Sequence, residues 1–546
     1  MSDRTLQGNF LFKRATTAAV DTYVAEEGEL VLDTRASDLV VRAGDGVTAG
    51  GKSVPVKQIA SIRAPGVIAP VNGATEVSQS PILTCDGFSG IRADLVSDTH
   101  QATYWELATD SDFTNIVYQS GRDTVNLTSI DLDAVNVELS ANTRHYFRVK
   151  HEGSNGAESQ WSPSVYFTTS LIAMTGASVG VIYKYNEHIA AGAISGDGLT
   201  VATGRANVGK VVVEEKINGS WVTQATLDDP VASNNNLSFG VSVTLSEDGN
   251  TLVVGSSEVD GGYVREGEAY VYSRPGGIGT NWSLTATISN PVPQQNGRFG
   301  SGVDISADGN TVAISATGNT NVGGEKGQVY IFNNSGGTWS QTYMATGGAY
   351  SLSADIALSG DGSTLVVCDP NYYQYRGRAW VHTLDGGTWS EFDILLGKSN
   401  YNYMGRAVDI SHDGSVIAIA NSGSVSGAQR SGSFLIFTKD LTEYNFTTEH
   451  PGPSSTRSID DQFGDDISIS ADGNVVAVGA READSMGYSN NGLAFVYAKN
   501  GSGYIHALNL VDDTSNNGKY FGGVIAISSD GKTAVSCGNT GGSIFN

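Results

Sequence analysis

The sequence predicts an all-β protein that ends in a seven-bladed β-propeller. Three observations predict it. The peptide Ser-x-Asp-Gly-x-Thr, or a close variant, recurs seven times, with its Asp at Asp197, Asp248, Asp308, Asp361, Asp413, Asp472 and Asp530. Successive copies lie roughly 50–60 residues apart, a period that marks an array of one supersecondary unit. Gly is abundant, at 68 of 546 residues, and Leu, Val and Ile rarely run together, a mix that suits short strands joined by turns and argues against helical bundles.

Residues 171–546 hold the repeats, and the third copy is the clearest. Strand A opens at Phe299-Gly300 and runs through Val303-Asp304-Ile305-Ser306. The turn Ala307-Asp308-Gly309-Asn310 follows, then strand B, Thr311-Val312-Ala313-Ile314-Ser315. Apolar residues alternate on both sides of that turn, and Asp-Gly between alternating strands is a strong hairpin signal. Gly tolerates the positive φ, and the Asp carboxylate bonds its own backbone two residues on, so the seven Asp residues are predicted to be structural. Strand C is Gly327-Gln328-Val329-Tyr330-Ile331-Phe332, and strand D begins near Trp339 after a Gly-rich turn. Four-stranded sheets repeated around an axis make a propeller, which leaves only short, protected edges. The chain stops on a strand C, Gly542-Ser543-Ile544-Phe545, while a spare strand, Gly180 to Tyr185, precedes the first strand A. The spare strand is therefore predicted to complete the last blade and tie the ring shut.

These repeats resemble the FG-GAP family, found also in integrin α subunits. The resemblance rests on Phe-Gly, the Asp-Gly turn and Gly-x-Val-Tyr-Ile-Phe. Integrin-type repeats often carry a calcium loop of the form D-x-D-x-D-G; each turn here has one Asp before its Gly, which argues against calcium in the blades.

Residues 67–170 read as a β-sandwich. They carry Tyr104-Trp105-Glu106-Leu107, then Leu139 to Val149 with Tyr146, then Trp161-Ser162-Pro163 and Val165-Tyr166-Phe167. About a hundred residues of short strands with one central Trp and a late Tyr fit that architecture. The segment resembles a fibronectin type III domain, and the resemblance puts Leu139 and Tyr146 at that family's corner, with the Tyr hydroxyl bonding back to the turn. Asp110 and Asp112 are read as a solvated hairpin turn.

Residues 1–66 carry Phe12-Lys13-Arg14, Gly28-Glu29-Leu30-Val31-Leu32-Asp33-Thr34, Asp38-Leu39-Val40-Val41 and Gly44-Asp45-Gly46-Val47-Thr48-Ala49-Gly50-Gly51. These are two short strands with an Asp-Gly turn and a Gly-rich exit. They are too few for an independent core, which points to assembly with other copies or a partner. The stretch resembles the N-terminal domain of phage tail-fibre and tropism-determinant proteins, in which Gly-Glu-Leu-x-x-Asp-Thr and Gly-Asp-Gly-x-Thr recur. It departs from their usual form in the extra residue Ala43 and in having no Trp after the Gly pair.

Composition bounds the partners. The net charge of -25 repels phosphate backbones, so nucleic acid is not expected. Cys85, Cys368 and Cys537 are odd in number, far apart and set in apolar stretches, so buried free thiols are expected. No metal-ligand spacing occurs, and no cofactor is expected. The start, MSDRTLQGNFLFKR, lacks a signal-peptide core, and no stretch reaches the roughly 18 apolar residues that span a bilayer. The expectation is a soluble chain made in the cytoplasm, without membrane insertion.

Strand order fixes loop geography. The A–B and C–D turns share one face, and the longer, irregular B–C and D–A connections share the other. Variable loops on a rigid scaffold are where recognition sits. The B–C loop of blade four, with Tyr372, Tyr373, Tyr375 and Arg376, and the D–A loop into blade five, with Tyr401 and Tyr403, are predicted to form one ligand-binding patch. Tyr offers a flat apolar face and a polar tip, suited to sugar rings or protein epitopes. Inter-blade packing and contact with another subunit remain alternatives for the same residues. Catalysis is not expected. Arg205, Arg265, Arg298 and Arg406 are scattered, the eight His show no metal spacing, and the pairs Asp460-Asp461 and Asp465-Asp466 read as solvated loop acids.

Together, the tail-fibre resemblance implies a virion appendage, a tail-fibre or receptor-binding protein. It would dock on other virion or tail proteins through residues 1–66 and bind host surface glycan or protein through the propeller. Such fibre domains are often trimers, so a homo-oligomer is implied. Two alternatives stand beside it: a structural or decoration protein of the virion, and a bacterial surface adhesin.

Overall fold

The computed structural model describes strand segments 13–15, 30–34, 39–43 and 52–53, residues 61–91, and residues 98–170 except 133, 138, 141 and 155. It further describes residues 178–545 except 184–188, 232–237, 321–325, 347–351, 353–354, 400–402, 423–431, 453–461, 485–488, 502, 512–518 and 539–540. The chain divides into two compact units, Met1–Ser170 and Leu171–Asn546. The described residues are all-β with almost no helix, and none of their helices is long and apolar enough to cross a membrane.

In the first unit, strands Lys13–Ala15, Leu30–Thr34, Leu39–Ala43 and Lys52–Ser53 form one sheet in that order. The second and third pair antiparallel, with Leu32 opposite Val41. The predicted Asp45-Gly46 turn lies outside the described residues.

Two larger sheets follow, beside a two-stranded pairing of Ser61–Ile62 with Gly90–Ile91. One runs Ile116–Gln119, His100–Ala108, Arg144–Gly153, Val165–Thr169, Ala74–Val77; the other runs Ser129–Asp131, Ile82–Cys85, Val67–Ala69. Trp105, Leu107, Phe147, Val149 and Phe167 from the first share a core with Leu83, Cys85 and Ile130 from the second. Trp105 is fully buried, and its indole N–H donates to the Asn126 carbonyl at 2.9 Å. Strand period two turns His145, Phe147 and Val149 inward. That corrects the expectation for Tyr146. Its ring lies on the other face, 5.9 Å from that of Tyr166, while buried His145 sits 3.4 Å from the Ser140 carbonyl, beside the turn that holds buried Leu139. Asp110 is a turn residue, its carboxylate accepting the amides of Thr114 and Asn115.

Seven four-stranded sheets make up the described residues of the second unit. The third serves as type: Phe299–Ile305 (A), Thr311–Thr320 (B), Lys326–Ser335 (C) and Thr338–Thr346 (D), each antiparallel to the next. The other A strands are Ala191–Ile194, Phe239–Leu245, Ile356–Leu358, Met404–Ile410, Phe463–Ile469 and Val524–Ile527. The last sheet takes its outer strand from ahead of the first repeat: Ser178–Tyr183 pairs antiparallel with Gly541–Phe545, as the spare-strand argument predicts.

The repeated turn explains its own sequence. The Ser306 hydroxyl donates to Asp308 at 2.6 Å, the Asn310 amide donates to the same carboxylate oxygen at 2.9 Å, and the Thr311 amide donates to the Ser306 hydroxyl. Gly309 sits at φ 70°, where a side chain is strained. The same Ser–Asp bond recurs at Asp197, Asp248, Asp361, Asp413, Asp472 and Asp530. Burial opposes ionisation, yet the hydroxyl and amides still hold Asp248, Asp308, Asp361 and Asp413 below the usual carboxylate range.

Neighbouring sheets are stitched at these turns. Backbone amides donate from Gly196 to Glu247, Glu247 to Ala307, Ala307 to Gly360, Asp361 to His412, His412 to Ala471, Ala471 to Ser529, and Ser529 back to Gly196, at 2.8–3.1 Å. The circuit returns to its start. Apolar cores lie between sheets. Val271 and Ile288 of the second repeat pack with Phe299, Val303 and Ile314 of the third, and Ile189, Ile194 and Val201 of the first pack with Val524, Val535 and Ile544 of the last. Phe299, fully buried there, stabilises by roughly 1.5–3 kcal/mol. The Gly that follows it is needed for close approach: a Cβ on Gly300 would lie 2.4 Å from the Glu268 carbonyl of the preceding sheet. Cys85, Cys368 and Cys537 are free and buried.

Candidate functional site

The two Tyr-bearing loops meet. The Tyr403 amide donates to the Tyr375 carbonyl at 2.8 Å, and the two rings stack with centroids 4.9 Å apart. Tyr373 and Tyr375 are exposed. The B–C loop is a single turn, Tyr372–Tyr375, in which Tyr373, Gln374 and Tyr375 have φ of 36°, 53° and 59°. Backbone held in that region costs of order 1–3 kcal/mol per residue and is found where a loop is over-determined by its surroundings.

The other predicted patch residues divide. Tyr372 lies under the Arg378 guanidinium, 4.0 Å from its ring centroid, and Arg378 pairs with buried Asp369 at 3.5 Å. Burial lifts the Asp369 carboxyl to about 6, against the pull of Arg378. Arg376 turns away from solvent to donate to the Gly397 carbonyl, tying the B–C loop to the D–A loop. Tyr401 lies outside the described residues.

The Tyr375–Tyr403 junction has counterparts at alternate repeats. The Arg298 amide donates to the Arg265 carbonyl at 3.0 Å, and the Tyr520 amide to the Asn490 carbonyl at 3.1 Å. All six residues have positive φ, between 52° and 59°. Arg265 and Arg298, read as scattered, are therefore joined through their backbones.

The A strands line an axial channel. At its turn end it is a cavity of about 250 Å³ bounded by Gly196, Glu247, Gly360 and His412. At the B–C/D–A end it widens to about 870 Å³, lined in part by Arg406, Asp465, Arg481, Glu482 and Tyr520. Arg406 Nη2 and Arg481 Nε lie 2.8 and 3.2 Å from opposite oxygens of Asp465. The pair Asp465-Asp466 is thus not the solvated loop predicted: Asp465 is clamped by two guanidiniums, and Asp466 is inside.

Deeper in the channel wall stand Asp304, Asp355, Asp409 and Asp466. Each accepts an amide from the next A strand: Leu358 (2.6 Å), Val408 (2.6 Å), Ile469 (2.8 Å) and Ile525 (2.7 Å) respectively. Burial lifts Asp304 and Asp466 to about 7 and Asp409 to about 6. Asp355 is raised well above the carboxylate range, by burial and then by repulsion from Asp466. The sequence signal for this set is an acid inside an otherwise apolar strand A, as in Val303-Asp304-Ile305 and Val408-Asp409-Ile410.

Residues 282–332 match the family model of the FG-GAP repeat, from the start of one strand D through the next strand C. That stretch is of FG-GAP type, and the fold of the second unit is that of a β-propeller. A solved structure titled as the β-propeller domain of Cps50 (Swd1) from Myceliophteria thermophila is similar at 12% identity with a TM-score of 0.46, over 68% of this chain and 98% of that one. No curated protein sequence matches the chain.

Proposed function

We propose that the chain is a phage appendage protein, of a tail fibre or receptor-binding tip, that attaches the particle to its host by non-covalent binding. Residues 1–66 dock on other virion or tail proteins, and residues 67–170 form a fibronectin type III-like spacer. Residues 171–546 close as a seven-bladed propeller whose B–C/D–A face meets host glycan or protein. The count of sheets and the hydrogen-bond circuit from Gly196 back to Gly196 support the seven-fold ring. The sheet order around buried Trp105 supports the spacer. The Gly28–Thr34 and Gly44–Gly51 motifs support the particle. No catalytic step is assigned. Copies assembled as a trimer multiply weak contacts into firm attachment.

The observation that carries binding is the Tyr375–Tyr403 stack beside exposed Tyr373, presented by two loops whose backbones are fixed to each other. Aromatic anchors on a rigid support bind at low entropic cost. The test is binding of the labelled full chain to host cells and competition with infection by the phage. The double variant Tyr373→Ala/Tyr375→Ala should weaken cell binding by about tenfold or more. A full chain that neither binds nor competes overturns the reading.

The recurrence of the same junction at Arg265–Arg298 and Asn490–Tyr520 favours a second reading, in which these loops only brace the propeller and the chain is a structural or decoration protein. It requires the chain in purified particles together with no affinity for host cells.

A further inference from the structure

We infer that the axial cavity on the B–C/D–A face is a second binding site, one that takes a neutral, hydroxyl-rich ring such as a hexose unit of a glycan. Its volume of about 870 Å³ lies within the range of roughly 300–1,000 Å³ typical of ligand pockets. Its wall alternates donors and acceptors. The Asp465 side chain is 5% exposed and held between Arg406 and Arg481, while the Arg406 side chain is 46% exposed. Of the five N–H groups a guanidinium carries, Arg406 gives only Nη2 to the protein among the described residues. Glu482 stands 3.9 Å from Arg481 and is itself partly exposed. A sugar hydroxyl both donates and accepts, so two neighbouring hydroxyls fit a carboxylate set beside a guanidinium. Tyr520, at φ 56° with its N–H donating to the Asn490 carbonyl, also lines the cavity.

Charge selects against the other classes. The two guanidiniums are matched by Asp465 and Glu482, and the deeper Asp355 and Asp466 are kept toward their neutral forms by burial. An anion finds no net positive charge to hold it, in a chain of net charge -25. A cation meets two guanidiniums at the entrance.

The inference rests on reading this face as a recognition surface, and the two fail separately. The full chain is applied to an array of neutral and acidic oligosaccharides, and affinity for bound members is measured by calorimetry. Binding to neutral members is expected. Arg406→Gln should lower that affinity by about tenfold or more, the equivalent of a lost charge-assisted hydrogen bond, with the chain still folded by circular dichroism. Tyr373→Ala/Tyr375→Ala reports the loop patch separately: affinity that falls in it and not in Arg406→Gln belongs to the Tyr loops and overturns the cavity site. Arg406→Lys is the second variant should Arg406→Gln not fold; it keeps the charge, loses the planar fork and should also weaken binding. No neutral oligosaccharide bound, acidic ones alone bound, or no effect of either Arg406 variant overturns the site. Sugar binding without host-cell binding keeps the cavity and ends the attachment reading; cell binding lost in the Tyr variant with no sugar bound does the reverse.

Discussion

Asp304 and Asp308 stand four residues apart and do opposite electrostatic work. Asp308 lies in the A–B turn, where a hydroxyl and an amide outweigh partial burial and keep it ionised. Asp304 is half-buried in the channel wall, and desolvation there lifts its pKa to about 7. Asp409, Asp355 and Asp466 share its surroundings and repel one another. In the unfolded chain such carboxyls ionise near pH 4. Below that pH both states are protonated, and the stability tied to these groups is fully present. As pH rises to about 7 the unfolded state releases its protons first, so that stability is lost. Buried His382, lowered to about 4 by desolvation, opposes this below its unfolded value near 6.5. Asp466→Asn isolates the effect of one such carboxyl. Its single side-chain oxygen keeps the acceptor for the Ile525 amide, the bond from the Ile467 amide is given up, and the charge that faces Asp465, Asp409 and Asp355 is removed. Relative to the parent, the variant's melting temperature should be roughly 2–4 °C higher at pH 8 than at pH 4, followed by circular dichroism, with the lost Ile467 bond lowering both values alike. An offset that does not change with pH would mean that Asp466 does not titrate in the fold.

At the scale of strands and sheets, one buried ion pair joins the first two repeats. Arg274 follows strand Glu268–Ser273 and donates to Glu215 in strand Lys210–Ile217 of the preceding sheet. Both side chains are essentially unexposed. The pair is well satisfied: Arg274 also donates to Thr200 (2.7 Å) and the Gly249 carbonyl (2.8 Å), and Glu215 accepts the Gly279 amide (2.6 Å). Removing one partner strands a charge, so Arg274→Ala should destabilise by about 3–5 kcal/mol in denaturant titration, and Arg274→Met with Glu215→Gln by clearly less. Equal losses would show that the cost is packing and not the orphaned charge. The channel carboxyls are marked in the sequence only as acids in apolar strands, and neither their partners nor this ion pair can be read there. Their partners lie one repeat away, at 59 residues for Arg274 and 54 for Asp304, and an acid in a strand looks the same whether water or a neighbouring amide faces it. The turn is legible because its partners lie two to five residues apart. The Tyr loops are legible as neighbours because ring order is sequence order. The inward turn of Arg376 is not, because it depends on where the Gly397 carbonyl arrives. Tyr146 fails for a third reason: a single step of strand register exchanges it with His145.

For the propeller unit as a whole, the decisive contact is the one that brings its two ends together. Ser178–Tyr183 pairs with Gly541–Phe545 across more than three hundred residues of chain, and Gly541–Phe545 carries Ile544 of the core between the first and last sheets. Without the strand, Gly541–Phe545 becomes an open edge with unpaired amides and carbonyls, a template for pairing with other chains. The backbone circuit at the turns would still link Ser529 to Gly196, so the ring should loosen at one outer edge rather than unravel. Two shortened chains separate these effects. One beginning at residue 171 keeps the strand and should unfold in one transition. One beginning at residue 185 lacks it, should melt at lower temperature, and should scatter light on standing. A synthetic peptide of residues 171–186 should bind the shorter chain by adding a strand to the open edge. It should raise that chain's melting temperature with peptide concentration, as any ligand of the folded state does. If both chains melt alike and the peptide has no effect, closure by the amino-terminal strand contributes nothing, and the circuit of turns alone holds the ring.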